Sequence, residues 1–230
     1  MSKVLIFLLA LSIEIFSQNI ETCQVKFRRV VNYHSSHDTT SGTIYFKNSN
    51  FTIIDIKLPI NQILFFGKND LQIYYPIENK LFNIKSKNPF SLPFFLSFLS
   101  VIKEDNGLVE PGFQIYNSQK VDDTLFVFWK PPKNLNNILS KQVMKFCNDK
   151  LVFSGSYDLN DKLIVYVIYS DHVKYINTSF PLKIRIVQNS SKNQSIEEIE
   201  YFQPMFNEKL PENILYFHLP PTVERKDITW

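Results

Sequence analysis

The sequence is poor in the elements from which many reactive sites are built. It has only 5 glycines in 230 residues, and none of them forms a glycine-rich loop that could cradle a phosphate. The 2 cysteines and 4 histidines form no group at metal-ligand spacing. The net charge is only +3, and no basic cluster with interleaved aromatic residues marks a nucleic-acid surface. These absences predict no cofactor, no metal and no nucleic-acid partner.

Three short motifs approach reactive chemistry without completing it. His34 and His37 have the spacing of a metal pair, but they lack a third ligand and lie in a Ser/Thr-rich stretch. The run Ser154–Ser156 is not the strand-to-helix elbow of a serine hydrolase. Asp171 and His172 are adjacent on a predicted strand end, which sends their side chains apart. We therefore expect a protein that is not an enzyme.

Aromatic residues are abundant, with 21 Phe and 11 Tyr, and 44% of the chain is hydrophobic. The stretch from Ser41 to Ile84 alternates short runs rich in Ile, Phe and Tyr with turn residues, a pattern typical of an antiparallel meander. The predicted strands of this meander are Thr43–Lys47, Phe51–Leu58, Gln62–Phe66, Asp70–Tyr75 and Lys80–Ile84.

Alternation within these strands predicts one apolar face. Successive residues of a strand point to opposite faces, so each strand can contribute to a common wall. The side chains expected on this wall, here called the concave wall, are Ile44, Phe46, Ile54, Ile56, Leu64, Phe66, Leu71 and Ile73. The opposite face carries Thr43, Lys47 and Asp55, which suits contact with water.

Strands are predicted for most of the remaining chain as well. The first is expected over Glu21–Val31, followed by a loop over His34–Thr40. The later candidates are Phe113–Tyr116, Thr124–Lys130, Lys141–Cys147, Lys150–Tyr157, Lys162–Tyr169, Leu182–Gln188, Ile196–Phe202 and, as the last strand, Tyr216–Pro221.

Residues 88–102 form the most apolar stretch of the chain after the N-terminal segment. Ser91 can cap a helix that tolerates Pro93 in its first turn. Ser97 and Ser100 give this helix its only polar side, and it has no basic residue of the kind that membrane-surface helices carry. Such a helix either belongs to a core or covers an apolar ligand as a lid. The apolar side chains expected to form the lid are Phe94, Phe95, Phe98, Leu99 and Ile102.

The N-terminus has the layout of a secretory signal peptide. A basic Lys3 precedes an apolar run, and we expect cleavage near Ser17, leaving residues 18–230 as one domain. Export would make a disulfide between Cys23 and Cys147 conceivable, and two unpaired thiols are the alternative. Glu21 makes the segment before Cys23 a poor lipidation signal.

The order of glycine, strands and turns from Gly42 to Pro76 resembles the early sheet of LolA, the periplasmic carrier of outer-membrane lipoproteins. The matching positions include Asn50, Pro59 and the run Gly67-Lys68, and the spacing fits without a gap. Later, Phe180-Pro181 and the closing Phe217 to Pro220 are also similar to LolA-type sorting proteins. The family's arginine, which helps to latch the lid helices, would fall at Asn48, so this sequence lacks that latch. The helix that usually precedes the first strand would also be absent.

The resemblance implies a mainly β fold, an incomplete, half-open antiparallel β-barrel of ten or eleven strands with one or two lid helices. It also implies a monomeric periplasmic carrier that binds the acyl chains of lipoproteins in an apolar cavity. In the family, such cargo arrives from an inner-membrane transporter and leaves to an outer-membrane receptor.

Two alternatives use the same half-barrel. One is a periplasmic regulatory or scaffold protein whose cavity is filled by its own side chains, because a fold does not determine a function. The other is a LolB-like receptor, which the poor lipidation signal and the lack of a protruding apolar loop disfavour.

Overall fold

The computed structural model describes residues 20–33, 36–48, 51–67, 70–86, 92–176, 178–189 and 194–229. The predicted signal peptide, residues 1–17, lies outside the described residues and stays a prediction. Within the described residues, no helix has the length and apolar character needed to cross a bilayer.

The described strands form one open sheet of fourteen strands. In chain order the elements are β1 (Thr22–Tyr33), β2 (Ser36–Lys47), β3 (Phe51–Leu58), β4 (Gln62–Phe66), β5 (Asp70–Tyr75), β6 (Lys80–Lys85), α1 (Pro93–Ile102), β7 (Gln114–Val121), β8 (Thr124–Lys130), β9 (Leu139–Cys147), β10 (Lys150–Asp158), β11 (Leu163–Tyr175), β12 (Thr178–Asn189), β13 (Gln194–Phe206), α2 (Glu212–Leu215) and β14 (Glu224–Thr229).

The strands are arranged in the order β14-β6-β5-β4-β3-β2-β1-β13-β12-β11-β10-β9-β8-β7. All neighbours are antiparallel except β14, which runs parallel to β6. Because β14 and β7 lie at opposite edges, the sheet does not close. The predicted fold class is therefore confirmed, although fourteen strands exceed the ten or eleven expected. Every predicted strand except the last joins the sheet, and β14 adds one more.

Four predicted strands, β3, β4, β5 and β8, have the observed bounds, but two predicted regions are wrong. Residues 36–40, expected as a loop, belong to β2, because the β1–β2 pairing continues without interruption to the Val30–Thr39 pair and beyond. The expected last strand, Tyr216–Pro221, is not a strand. Its Pro220 and Pro221 lack the N–H group that a ladder requires.

Gly42 is the glycine on which the early meander depends. A Cβ built at Gly42 would lie 2.2 Å from the carbonyl oxygen of Asp55 on the neighbouring strand β3. The pairing of β2 with β3 shifts register between Ser41 and Gly42, so the strands approach closely at this irregularity.

The two faces of the early strands are both covered. On the concave face, the main hydrophobic core joins the early strands to α1 and to β12 and β13. On the outer face, Ile53, Ile63, Tyr74 and Leu81 form a second core with residues from the end of the chain. Water on the outer face was therefore a wrong expectation for β3 to β6, since the C-terminal segment, residues 210–229, covers part of it.

Candidate functional site

The helix α1 places its phenylalanines directly against the concave wall. Phe95 stacks on Phe66 of β4, with ring centroids 4.2 Å apart. Phe98, which is fully buried, meets Phe46 of β2 edge-on at 6.1 Å. Aromatic pairs in these arrangements add to the free energy gained by burial. The helix is thus held by ring contacts to the wall that the sequence predicted.

Most of the predicted wall belongs to, or packs against, the core that contains this helix. Six of its eight side chains belong to, or pack against, the core that contains α1: Ile44, Phe46, Ile54, Ile56, Leu64 and Phe66. Leu71 is buried and Ile73 half-buried on β5, opposite Phe66 and Leu64 respectively, so both share the face but not that core. In this structure, phenylalanines of α1 occupy the space against the wall.

The predicted lid residues all lie on α1. Phe94, Phe95, Phe98 and Ile102 are buried and Leu99 is half-buried, with all five in or against the core. The N-cap residue is Leu92, which makes no side-chain capping bond, and the predicted cap Ser91 lies outside the described residues.

The two serines expected on a polar side of α1 are instead buried. Ser97 Oγ donates to the Phe94 carbonyl and Ser100 Oγ to the Ser97 carbonyl, so the helix satisfies them internally. The Ser100 hydroxyl also lies 2.8 Å from the Tyr169 hydroxyl on β11. Within the described residues this is the one side-chain hydrogen bond that joins α1 to the sheet.

Tyr169 keeps its proton in this contact. Burial raises the pKa of Tyr169 to about 12, against the smaller lowering effects of its hydrogen bonds with Ser100 and Ser154. The Ser100–Tyr169 contact is therefore between two neutral hydroxyls across the neutral pH range, and its strength is that of an ordinary hydrogen bond.

An arginine lies over the start of α1 even though position 48 is an asparagine. The Arg29 guanidinium on β1 makes two bonds to the buried Glu197 carboxylate of β13, with Nε–Oε1 at 2.6 Å and Nη2–Oε2 at 3.0 Å. Its Cζ lies 5.8 Å from the centroid of the Phe94 ring. Phe94 also packs against Phe27 at 4.9 Å. Arg29 thus makes a cation–π contact with α1 from β1, rather than from position 48 where the family's arginine would fall.

An open cavity of about 700 Å³, here called the side cavity, lies beyond the C-terminal end of α1. Its volume is within the roughly 300–1,000 Å³ of typical small-molecule sites. The walls are mostly apolar side chains of β7, β8 and β9, and the charged groups among the lining residues are all acidic. The lining residues are Glu104, Asp105, Asn106, Val109, Phe113, Gln114, Ile115, Leu125, Val127, Trp129, Phe146 and Asp149.

Sequence reasoning did not identify this cavity. The signal available was the alternation in β8, where Leu125, Val127 and Trp129 occupy one face of a predicted strand. This alternation does not distinguish a cavity lining from an ordinary core. Glu104 and Asp105 enter the site because the chain turns sharply after α1, where Asn106 adopts a positive φ of 53°.

The two cysteines are unpaired, so of the two alternatives the structure has free thiols. Cys23 on β1 and Cys147 on β9 are separated by four intervening strands of the sheet. Burial raises the pKa of the Cys23 thiol well above its ordinary value.

His37 is exposed on β2, while His34 lies outside the described residues. Within the described part of the chain, no group of three His, Cys, Asp or Glu side chains could hold a metal ion.

Three solved structures share this architecture. A DUF1329 family protein from Desulfovibrio piger aligns at a TM-score of 0.62 and 17% identity, covering 86% of this chain and 90% of that one. A LolA superfamily protein from Nitrosomonas europaea aligns at 0.56 and 15% identity, covering 86% and 90%. A candidate outer membrane lipoprotein-sorting domain from Vibrio parahaemolyticus aligns at 0.57 and 13% identity, covering 85% and 89%. The chain therefore has a LolA-like fold.

Sequence comparison adds little to this result. No family model matches the sequence. A protein of Wigglesworthia glossinidia brevipalpis named "Probable cytosol aminopeptidase" is 24% identical over 170 residues, which is 73% of this chain. The chain spans only 32% of the length of that relative.

Proposed function

We propose that the protein is a periplasmic carrier that binds acyl chains of lipoproteins against the concave wall and moves them between membranes. The observation that carries the proposal is the packing of Phe95 and Phe98 onto Phe66 and Phe46, the side chains expected to hold cargo. The LolA-like fold supports it, because two of its structural neighbours are a LolA superfamily protein and a candidate lipoprotein-sorting domain. This function requires no catalytic group and no cofactor.

The energetic case rests on the apolar character of the wall. Each buried methylene group is worth about 0.8 kcal/mol, so a long acyl chain in water needs an apolar enclosure. Ile44 and Ile54 are almost fully shielded from water in the core that contains α1, and their side chains offer no hydrogen bond to a head group. Such a surface accepts hydrocarbon of many kinds, and we expect broad cargo tolerance.

The same helix explains how cargo could leave. When the wall is empty, α1 packs on it and recovers apolar contacts that cargo would otherwise provide. The apparent affinity for cargo is reduced by the free energy of displacing α1, which allows transfer to a better acceptor. By resemblance, an inner-membrane lipoprotein-releasing transporter would supply the cargo and an outer-membrane receptor would accept it, with the carrier acting as a monomer.

Adjacent phenylalanines on β4 provide a matched test. Phe66 faces α1, whereas Phe65 lies on the outer face against Phe217 at 5.3 Å. Delipidated protein is titrated with a fluorescent long-chain fatty-acyl probe and with unlabelled competitor. We expect saturable, displaceable binding. Phe66→Asp should weaken it at least 10-fold, or about 1.4 kcal/mol, and Phe65→Asp should leave it within 2-fold of wild type.

The packing of α1 on the concave wall is also compatible with a second function. The protein would then be a regulatory or scaffold protein in which α1 closes the cavity permanently. Absence of displaceable binding, or equal effects of Phe65→Asp and Phe66→Asp, would contradict the carrier proposal and favour this alternative. Thermal unfolding of both variants controls for loss of fold.

A further inference from the structure

A tyrosine in the core that contains α1 has a hydroxyl group without a hydrogen-bond partner. Tyr201 on β13 is 2% exposed and belongs to this core. Within the described residues, its hydroxyl oxygen makes no hydrogen bond. An unpaired buried hydroxyl costs free energy, because the group loses its bonds to water on folding and regains none. A ligand group that accepts a hydrogen bond from Tyr201 would remove this cost.

Two polar neighbours of Tyr201 are engaged elsewhere. Glu197, four residues earlier on the same strand, has both carboxylate oxygens bonded to Arg29. The Tyr169 hydroxyl contacts the Ser100 hydroxyl of α1. Burial, ahead of the effects of these neighbours, raises the pKa of Tyr201 well above its ordinary value. Tyr201 therefore keeps its proton and has a hydrogen-bond donor to offer.

Phe98 of α1 contacts both Tyr201 and the concave wall. Its ring centroid is 6.2 Å from that of Tyr201 and 6.1 Å from that of Phe46 on β2. While α1 is in place, the Tyr201 hydroxyl is out of reach of any ligand. Displacement of α1, which the proposed function requires, takes the Phe98 ring away from Tyr201 and puts cargo in its place.

We infer that Tyr201 is a specificity-determining residue, whose hydroxyl donates a hydrogen bond to the carbonyl oxygen of an acyl group bound on the concave wall. The inference rests on the proposed carrier function and names its substrate class, chains attached through an ester or amide carbonyl. The bond is made only when cargo replaces α1, since Tyr201 has no partner while α1 covers the wall. Hydrocarbon of many kinds still packs on the wall, but a carbonyl adds affinity that an ether-linked chain lacks.

Tyr169 differs from Tyr201 because it keeps a partner when α1 leaves. Its hydroxyl also bonds Ser154 on β10, which is part of the sheet. Cargo therefore gains less from a bond to Tyr169 than from a bond to Tyr201, and Tyr169 serves as the matched control.

Two lipids that differ in one linkage test the inference. 1-Palmitoylglycerol is an ester, and 1-O-hexadecylglycerol is the corresponding ether with the same chain length and the same neutral head. Each is titrated, below its aggregation concentration, into delipidated protein that holds the fluorescent acyl probe, and displacement of the probe gives its affinity. We expect the ester to bind about 5-fold more tightly than the ether, the ratio for one ordinary hydrogen bond.

Tyr201→Phe removes the hydroxyl and keeps the ring. It should weaken binding of the ester about 5-fold and leave the ether within 2-fold of wild type, so that the two lipids bind alike. Because the hydroxyl has no partner in the folded protein, this variant should unfold at a temperature no lower than that of wild type. Tyr169→Phe should tighten both lipids by a similar factor and keep their ratio, since it removes a bond between α1 and the sheet.

Equal affinities of the ester and the ether for the wild type, or an unchanged ratio in Tyr201→Phe, would overturn the inference and leave the carrier function standing. Loss of the ratio in Tyr169→Phe alone would also overturn it, because the donor would then be Tyr169. A lower unfolding temperature of Tyr201→Phe would contradict the claim that the hydroxyl has no partner. Failure of both lipids to bind would remove the carrier function and this inference together.

Discussion

The two faces of β4 are covered by two different kinds of structure. On one face Phe66 stacks against Phe95 of α1, and on the other Phe65 packs against Phe217 of the C-terminal segment. The side chains are alike, and the ring distances, 4.2 and 5.3 Å, are similar. The two covers, α1 and the C-terminal segment, differ in the other interactions that attach them to the sheet.

The C-terminal segment is fixed by directional bonds. Its β14 pairs with β6 from the Glu224–Lys80 pair to the Thr229–Lys85 pair. Asn79 Nδ2 donates to the Thr222 carbonyl and hydroxyl oxygens, at 3.1 and 3.2 Å. No hydrocarbon can replace such bonds, because each donor requires an acceptor.

The helix α1 is held mainly by contacts without direction. Its rings meet Phe27, Phe46 and Phe66, and the Ser100–Tyr169 bond is its single side-chain hydrogen bond to the sheet among the described residues. An acyl chain can replace apolar contacts of this kind at similar free energy. The comparison teaches that hydrocarbon could replace the contacts that hold α1, whereas it could not replace the bonds that hold the C-terminal segment.

The largest expected effect is a difference in stability loss between a substitution in the sheet core and one in α1. Phe98 on α1 and Phe180 on β12 are both fully buried. Phe180→Ala should lower the free energy of unfolding by roughly 3–5 kcal/mol, as usual for a core phenylalanine. Phe98→Ala should cost at most about 2 kcal/mol, because detachment of α1 as a unit limits the loss. Chemical denaturation of both variants measures this difference, and equal losses would mean that α1 is ordinary core.

A smaller effect is expected where the C-terminal segment is fastened. Asn79 makes the two bonds to Thr222 and adopts a positive φ of 50°. Asn79→Ala should lower the free energy of unfolding by about 2 kcal/mol, from lost hydrogen bonds and the left-handed backbone. Asn79→Gly, which tolerates this backbone, should cost about half as much. Neither variant should change the affinity for the acyl probe. A loss of affinity together with the loss of stability would show that the C-terminal segment also contributes to binding, and would contradict the distinction between the two covers.

The smallest expected loss of stability is accompanied by a gain in affinity. Tyr169→Phe removes the hydroxyl that bonds Ser100 while α1 is in place and that also bonds Ser154 on β10. It should lower the free energy of unfolding by about 1 kcal/mol and tighten binding of the acyl probe by up to about 5-fold. Ser100→Ala should act in the same direction. Weaker binding in both variants would show that the bond supports the bound state rather than the closed one.

The sequence predicted the concave side of the molecule better than the outer side. Alternation in β2 to β5 placed Ile44, Ile54 and Phe66 on one face, because their period matches a half-buried strand. The helix was predictable from its apolar residues and from Pro93 in its first turn. The outer cover was missed because β14, with the sequence ERKDIT, has no apolar alternation and depends on pairing with β6. Pairing between distant segments leaves no local pattern in the chain.

The candidate site was predictable only in part, for a similar reason. Helix α1 and most of the concave wall follow from local periodicity, whereas the side cavity depends on where α1 ends on the sheet. Helix α1 ends at Ile102, and the following turn brings Glu104 and Asp105 against β8 and β9. This placement is set by tertiary packing, which a single sequence does not reveal.

Hydrogen exchange of α1 tests the central claim most directly. Amide exchange of residues 93–102 is followed by mass spectrometry with and without a saturating long-chain acyl ligand, using residues 224–229 as an internal reference. If α1 leaves the concave wall to cargo, its amides exchange faster when the ligand is bound, while those of β14 do not change. Bound ligand with unchanged exchange in α1 would contradict the account.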